Sequence, residues 1–156
     1  MTCKNISILA LILTALLLTT ACGGTKVVRG AAPLVRMNEL SHTGNSISLQ
    51  LSMRNLNGVE LDIQSIDFNL SVEDDELFAY KGPADTNITA NGIESWTIEV
   101  EESPSSKQLL DKLQAGDIKS LPYSLEGSVT AAEEGKLHFS HEGHIYPVPG
   151  RPGHFR

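Results

Sequence analysis

Residues 51–70, LSMRNLNGVELDIQSIDFNL, hold two stretches of alternating apolar and polar residues on either side of an asparagine-rich corner. The first stretch begins upstream at Ile47, and its apolar residues recur at every second position as far as Met53. A period of two is typical of a β-strand that buries one face. The corner itself, NLNG at residues 55–58, has residue types that tolerate the left-handed backbone conformations of turns. The pattern therefore predicts a strand, a turn and a second strand.

The second stretch changes phase part of the way along. Leu61 and Ile63 occupy odd-numbered positions, whereas the apolar residues that follow occupy even-numbered ones: Ile66, Phe68, Leu70 and Val72. A shift of one residue turns every later side chain to the opposite face of a sheet. A β-bulge or a change of sheet near Gln64 and Ser65 is therefore needed to keep both sets in one core.

Other segments add one helix and further strands. Ser103 and Pro104 are residue types of a helix N-cap and first turn, leucines follow at helical spacing, and Gly116 supplies the stop. Trp96 lies on the apolar face of its segment and is predicted to be a core residue rather than a ligand platform. The remaining strand candidates are LVRMNEL (34–40), LFAYKG (77–82, ended by Gly82 and Pro83), IESWTIEV (93–100), LPYSLEGSV (121–129) and KLHFSHEGHIYPV (136–148).

This order of elements predicts an all-β fold. A parallel α/β sheet needs a crossover helix between most strands, and the sequence indicates a single short helix. We expect an immunoglobulin/fibronectin III-like β-sandwich of about seven strands with one short helix. The alternating faces supply enough buried apolar side chains to hold such a fold without disulfides.

The N-terminal residues have the pattern of a secretory signal. Lys4 precedes an apolar run at residues 6–18, and small residues then lead to Cys22. The run is shorter than the roughly 20 residues of a membrane-spanning helix, so a permanent helical anchor is the less favoured alternative. The segment LTTAC that ends at Cys22 resembles a bacterial lipoprotein box, with Thr19 standing where an aliphatic residue is usual. We therefore predict a lipoprotein signal peptide over residues 1–21.

Cys22 is the predicted lipidation site. Removal of the signal would also remove Cys3, and an unmodified lone thiol is a hazard in an oxidising compartment. Ordinary secretion with a free Cys22 is the alternative. Acyl chains such as palmitate would anchor the protein to a membrane without spanning it. By resemblance to sorted lipoproteins, Gly23 in place of an aspartate indicates an outer-membrane lipoprotein that faces the periplasm.

Charge and length restrict the partners and the number of domains. The formal net charge is −7, and it becomes more negative when Lys4 leaves with the signal. Such a chain is not expected to bind nucleic acid or anionic lipid through bulk electrostatics. Its length suffices for one domain. We predict a tether over residues 22–32, one sandwich domain over 33–147 and a flexible, Pro- and Gly-rich tail over 148–156.

The ordered set of features resembles one known family. A strand ends in RNLN, a phase-shifted IDFNL follows, a later strand ends in glycine, SWTIEV precedes a short leucine-rich helix, and the final strand contains another glycine. Over residues 34–147 this order resembles the water stress and hypersensitive response (WHy) domain of group 2 late embryogenesis abundant (LEA) proteins. The motif residues that the resemblance implies are Arg54, Asn55, Asn57, Gly82 and Gly143.

The resemblance implies a fold and a general role. Members of the family have a fibronectin-like or immunoglobulin-like sandwich with one helix, are linked to desiccation and other stress, and have no established active site. Bacterial relatives are often small envelope lipoproteins. Family members usually carry Asn-Pro-Asn at the corner, where this chain has Leu56 in place of the proline. Because proline would pre-set the turn, its absence leaves the turn to the asparagine side chains and Gly58.

One cluster of candidate metal ligands occurs in HFSHEGH, residues 138–144. On a strand, His138, Glu142 and His144 share one face and His141 points to the other, so the run cannot present all three imidazoles without a bend. His138 and His144 are therefore the metal candidates, and exposed strand residues without a ligand are the favoured interpretation. The sequence contains no nucleophile elbow, phosphate-binding glycine loop or HExxH motif, and we predict neither catalysis nor a cofactor.

Three functions follow, in order of preference. The first is a non-enzymatic, lipid-anchored envelope protein that binds or shields other envelope components under desiccation or water stress. The second is an adaptor or assembly lipoprotein for an envelope machine, using an exposed sheet edge or residues 151–156 as a contact. The third is a metal-handling or enzymatic role through His138 and His144.

Overall fold

The computed structural model describes residues 27–43, 46–72 and 75–156. Within this part of the chain, eight strands and one helix form two packed sheets. The helix, α1 (Pro104–Ala115), lies between the fifth and sixth strands in the sequence. The strands are β1 (Leu34–Thr43), β2 (Ser46–Arg54), β3 (Leu61–Val72), β4 (Asp75–Ile88), β5 (Ile93–Glu101), β6 (Leu121–Ala131), β7 (Gly135–Ile145) and β8 (His154–Phe155).

Each sheet consists of four antiparallel strands. The first sheet has the order β5-β2-β1-β8, and the second has the order β4-β3-β6-β7. Apart from β8, this is the strand arrangement of a fibronectin type III-like sandwich. The predicted all-β sandwich with one short helix is therefore confirmed, and the described chain has one strand more than expected.

The core lies between the two sheets and is built from alternating positions. In β2, the apolar residues Leu49, Leu51 and Met53 are fully buried, whereas Gln50 and Ser52 between them face outward and are exposed and half-buried, respectively. Trp96 of β5 is partly buried and packs against this core, as predicted. Each fully buried aliphatic or aromatic side chain stabilises the fold by about 1.5–3 kcal/mol. The described residues contain no cysteine, so side-chain burial holds the sheets together.

Helix α1 has the predicted start and stop. The Ser103 side chain caps the N-terminus by accepting a hydrogen bond from the backbone N–H of Ser106, and Gly116 ends the helix with a left-handed φ of 83°. The hydroxyl of Ser106 also donates to the carbonyl oxygen of Leu77 at 2.8 Å, which ties the helix to β4. The apolar face of α1 is buried through Leu110 and Leu113.

The predicted phase change is a β-bulge in β3. The pairings of β3 with β4 and with β6 both shift register between Ile63 and Ser65. Gln64 is the additional residue, and its side chain is exposed. Ile63 and Ile66 consequently both face the core, with exposures of 0% and 1%, although their positions differ in parity.

Strand β4 continues beyond its predicted end. We expected it to stop at Gly82 and Pro83, but it extends to Ile88. Because β4 is the edge strand of the second sheet, the missing N–H of proline need not remove a ladder hydrogen bond. Opposite the bulge of β3, two residues of β4 are unpaired, and one of them, Asp85, adopts a left-handed φ of 37°.

The C-terminal residues pack against the first sheet and do not form the flexible tail predicted for residues 148–156. Residues 146–156 form a hairpin: Tyr146 and Arg156 exchange two backbone hydrogen bonds, of 2.8 and 2.9 Å, and the N–H of Val148 donates to the carbonyl of His154. The second arm of the hairpin is β8, which pairs with β1. Phe155 is only 1% exposed. Burial of this one aromatic side chain outweighs the loop-forming composition around it.

Candidate functional site

One of the predicted site residues lies outside the described part of the chain, and the others lie within it. Cys22, the predicted lipidation site, lies outside the described residues. Within the described part of the chain, no helix combines the length and the apolar character that a membrane crossing requires. The five motif residues and the two histidine candidates are all described, and they occupy three separate regions of the sandwich.

Asn55 is a fully buried amide at the end of β2. Its side-chain nitrogen lies within hydrogen-bonding distance of three carbonyl oxygens, those of Val59 (2.7 Å), Ile88 (3.1 Å) and Thr89 (3.1 Å). Its side-chain oxygen accepts the backbone N–H of Asn57 at 2.8 Å. A buried polar group is tolerated where such partners satisfy it. Asn55 thus binds the start of β3 to the end of β4.

Asn57 is also fully buried. Its side chain both accepts from and donates to the N-terminal segment, residues 27–33. Its side-chain oxygen accepts the N–H of Ala31 at 2.8 Å, while its side-chain nitrogen donates to the carbonyl of Ala31 at 3.0 Å. The same nitrogen donates to the side-chain oxygen of Asn55 at 3.0 Å. The amide of Asn57 therefore pairs with the backbone of Ala31 as a neighbouring strand would.

Backbone hydrogen bonds complete this asparagine corner, which we define as residues 55–59. The N–H of Gly58 donates to the carbonyl of Val28 at 3.0 Å, and the N–H of Asn55 donates to that of Gly92 at 3.0 Å. The corner therefore joins the N-terminal segment, the β2–β3 connection and the β4–β5 turn. This corrects the predicted tether over residues 22–32, because its C-terminal part is bonded to the domain from Val28 onward.

The two motif glycines lie beside tyrosine rings. Gly143 of β7 pairs with Tyr123 of β6, and a Cβ atom at Gly143 would come within 2.7 Å of the Tyr123 ring. Gly82 is covered in the same way by the ring of Tyr80 on its own strand. The absence of a side chain at these positions therefore makes room for an aromatic ring. Arg54, the remaining motif residue, is exposed at the end of β2.

The histidine candidates are not brought together. His138 and His144 are exposed on the outer face of β7, opposite Ser128 and Pro122 of β6. They are six positions apart on one strand, which corresponds to roughly 20 Å. His141 points inward, and burial lowers its pKa, with a smaller contribution from Arg36. No group of three His, Cys, Asp or Glu side chains in the described residues is arranged to hold a metal ion.

The C-terminal hairpin is held by an ionic cluster that the sequence did not indicate. The Glu39 carboxylate lies 2.6 Å from the Nδ1 atom of His154 and 3.2 Å from the guanidinium of Arg151. The hydrogen bond from His154 is the largest cause of a lowered pKa of Glu39, and Arg151 adds to the effect. A second pair on the same strand joins His42 to Glu102 at 3.0 Å, with both side chains largely buried.

A polar cleft opens beside the asparagine corner. It has a volume of about 600 Å³. Arg29 approaches Glu133 at 3.7 Å across part of this cleft, and both side chains are well exposed. The other charged residues along its wall are acidic: Glu60, Asp62 and Glu134. The cleft therefore carries an excess of negative charge.

Replacement of Asn55 by Asp tests the corner. In Asn55→Asp, the carboxylate oxygen that replaces the amide nitrogen would face three carbonyl oxygens without a donor, and a buried charge left uncompensated costs about 3–5 kcal/mol. We expect a free energy of unfolding that is lower by this amount in urea denaturation at neutral pH. Asn69→Asp makes the same chemical change at an exposed position and should cost less than about 0.5 kcal/mol. Equal losses for the two variants would contradict the role assigned to Asn55.

The Glu39 cluster predicts a pH dependence of stability. Because the pKa of Glu39 is lower in the folded protein than its ordinary value of 4.5, its charge stabilises the fold above that value. This contribution is lost as the pH falls through the lower, folded value. The difference in unfolding free energy between the wild type and Glu39→Gln should therefore be largest above pH 4.5 and shrink toward more acidic pH. Glu126→Gln controls for the loss of one negative charge away from the hairpin, and a difference for Glu39→Gln that does not vary with pH would contradict the assignment.

The comparisons with known proteins support the fold. No protein-family model and no curated protein matches this chain. The solution structure of AT1g01470 from Arabidopsis thaliana is similar, with a TM-score of 0.56 and 17% identity over 86% of this chain and 92% of that one. The solution structure of At2g46140.1, described as a candidate LEA protein, has a TM-score of 0.50 and 13% identity over 96% of this chain and 89% of that one. The chain thus has a fold like that of LEA group 2 proteins, as its sequence pattern predicts.

Proposed function

We propose that this protein is a non-enzymatic lipoprotein, anchored through Cys22 to the outer membrane and facing the periplasm, whose sandwich binds or shields other envelope components under water stress. The LEA-like fold and the lipoprotein-like N-terminus support the proposal. The observation that carries it is the composition of the outer faces of the two sheets. Both faces are rich in short side chains that bear a hydroxyl group.

On the first sheet, the hydroxyl groups lie on neighbouring strands. Ser48 and Ser52 of β2 face outward between buried residues, and Ser52 lies opposite Ser95 of β5. Thr97 is exposed on the same face of β5. The hydroxyl of Ser52 donates to the side chain of Asn38 on β1 at 3.0 Å, so polar contacts already run across the strands.

The second sheet repeats this arrangement. Ser71 of β3 lies opposite Ser124 of β6, and on β7 an exposed serine, Ser140, lies opposite Glu126. Ser128 of β6 is buried between its neighbours. Two shallow depressions of about 480 and 400 Å³ occur along this face, and their walls include polar side chains such as Asn69 in the first and Ser124 in the second.

A face of this kind suits exchange of hydrogen bonds. Each hydroxyl can donate and accept, and it can turn to fit its partner. Serine and threonine also lose less conformational entropy on ordering than long charged side chains do. When water is withdrawn, such a face can replace its bonds to water with bonds to the polar groups of a neighbouring macromolecule. This favours shielding of many partners over recognition of one ligand.

A drying assay tests the proposed protection. The purified chain from Cys22 onward should preserve more activity of an indicator enzyme through drying and rewetting than an equal mass of albumin. Removal of hydroxyls from the first sheet, by Ser48→Ala, Ser95→Ala and Thr97→Val together, should reduce the protection while leaving the circular dichroism spectrum unchanged.

The matched control changes exposed residues near and within α1: Gln108→Ala, Asp117→Ala and Lys119→Ala together, which leaves the net charge unaltered. This variant should protect as well as the wild type. Protection no better than that of albumin would count against the proposal and would favour the adaptor function.

Metabolic labelling tests the anchor. Labelled palmitate should enter the wild-type protein and should be absent from Cys22→Ser. Cys3→Ser, which changes a cysteine within the predicted signal, should retain the label. An unlabelled wild type would remove the lipid anchor from the proposal and leave ordinary secretion as the interpretation of the N-terminal pattern.

The adaptor function rests on a narrower observation. Its expected contact through residues 151–156 is disfavoured because these residues belong to the packed hairpin. Among the edge strands of the two sheets, β5 is a candidate contact because it is nine residues long and begins with Ile93, which is 60% exposed. Three glutamates, Glu94, Glu99 and Glu101, are exposed along β5, and charge of this kind discourages unselective strand pairing. No geometry in the described residues favours a metal-handling role.

A further inference from the structure

Exposed apolar side chains gather at one end of the sandwich. In the described chain, the large apolar residues with the highest exposure are Val27 (54%), Val28 (53%), Leu56 (43%), Ile93 (60%) and Tyr146 (49%). Scattered single residues of this type are ordinary on protein surfaces. Here all but Tyr146 belong to the asparagine corner or to the segments bonded to it. The number of these residues is ordinary, but their clustering at one end of the sandwich requires an explanation.

The hydrogen bonds of the corner fix these side chains in place. Leu56 lies between the two buried asparagines, and Val28 is held by its carbonyl contact with the N–H of Gly58. Ile93 opens β5 directly after Gly92, whose carbonyl accepts the N–H of Asn55. The apolar side chains thus project from a rigid end of the domain, and little conformational entropy remains to be lost when they contact another surface.

The position of Cys22 indicates what that surface is. Cys22 precedes Val27 by five positions, and a fully extended chain of that length spans about 17 Å. A membrane that holds acyl chains at Cys22 therefore lies within that distance of the corner. The strands run away from the corner for about 30 Å, so the opposite end, with α1 and Tyr146, is much farther from the attachment point.

We infer that the corner end of the sandwich docks on the membrane, with Val27, Val28, Leu56 and Ile93 entering the boundary between headgroups and acyl chains. This inference rests on the lipid attachment proposed above and adds a second contact to it. Acyl chains at one cysteine and a small apolar surface beside it act together, as two-signal membrane anchors do. The long side chains of Arg29 and Arg54 are exposed near this end and can reach lipid phosphates.

The negative charge of the cleft indicates which type of membrane surface the corner end would contact. The cleft beside the corner carries Glu60, Asp62, Glu133 and Glu134, and these carboxylates would be repelled by a strongly anionic lipid surface. A zwitterionic surface avoids this repulsion. In this orientation the domain stands on its end, and the hydroxyl-bearing faces of both sheets extend into the periplasm.

Paramagnetic broadening of methyl signals tests the docking. The eight strands and the core of the described chain lie within residues 27–156, so the chain from Cys22 onward contains the whole of the sandwich described above. Its single thiol is coupled to maleimide lipid in phosphatidylcholine nanodiscs, which supplies the attachment whether or not the cell acylates Cys22. Nitroxide-labelled phosphatidylcholine should then broaden the methyl signals of Leu56 and Ile93 several-fold more than those of Leu109 in α1.

Variants separate docking from mere proximity. Leu56→Ser should reduce the excess broadening of the Ile93 methyl groups, and Ile93→Ser should reduce that of the Leu56 methyl groups, whereas Tyr146→Ser should leave both unchanged. Equal broadening at both ends of the wild-type domain would overturn the inference, because it would indicate a domain that reorients freely on its tether. Broadening that requires two copies on one disc would also overturn it, in favour of self-association. Failure of palmitate labelling would remove only the natural anchor, since chemical coupling tests the docking separately.

Discussion

The fold depends on a pair of buried amides. Asn55 and Asn57 occupy positions where the alternation of β2 would place apolar residues, and both are fully buried. Each is instead surrounded by backbone groups from segments distant in the sequence, including Ala31 and Ile88. Water could satisfy these groups in an open structure, but a closed sandwich excludes it. The two side-chain amides thus make the hydrogen bonds that a neighbouring strand would otherwise make with these backbone groups.

This arrangement also explains how the chain forms the corner without the proline that is usual there in group 2 LEA proteins. Proline would restrict the turn locally, before any tertiary contact forms. In this protein Leu56 occupies that position and points to solvent, so the shape of the corner is imposed by the asparagines on either side. Local rigidity has been replaced by long-range hydrogen bonding. The corner consequently forms only when the N-terminal segment and the β4–β5 turn are also in place.

Features with a short-range cause could be predicted from the sequence. The alternation of β2, the bulge at Gln64 and the caps of α1 all depend on neighbouring residues, and all were confirmed. The errors have a different origin. The extension of β4 past Pro83 depends on its place at a sheet edge, and the packing of Phe155 depends on a space beside β1 that no local pattern encodes. The partners of Asn55 and Asn57 likewise became visible only in the folded chain.

The short contact between β8 and β1 has a mechanical consequence. The two strands are antiparallel and pair at only two positions, Leu40 with Phe155 and Ser41 with His154. The N-terminal end of β1 and the C-terminal end of β8 therefore lie at the same end of the strand pair. Tension applied between the N-terminal segment and the C-terminus breaks these pairs one after another, as in a zipper, rather than shearing them together. Once the two hydrogen bonds between Arg156 and Tyr146 have broken, the seam beside β1 is thus the next part of a pulled domain to open.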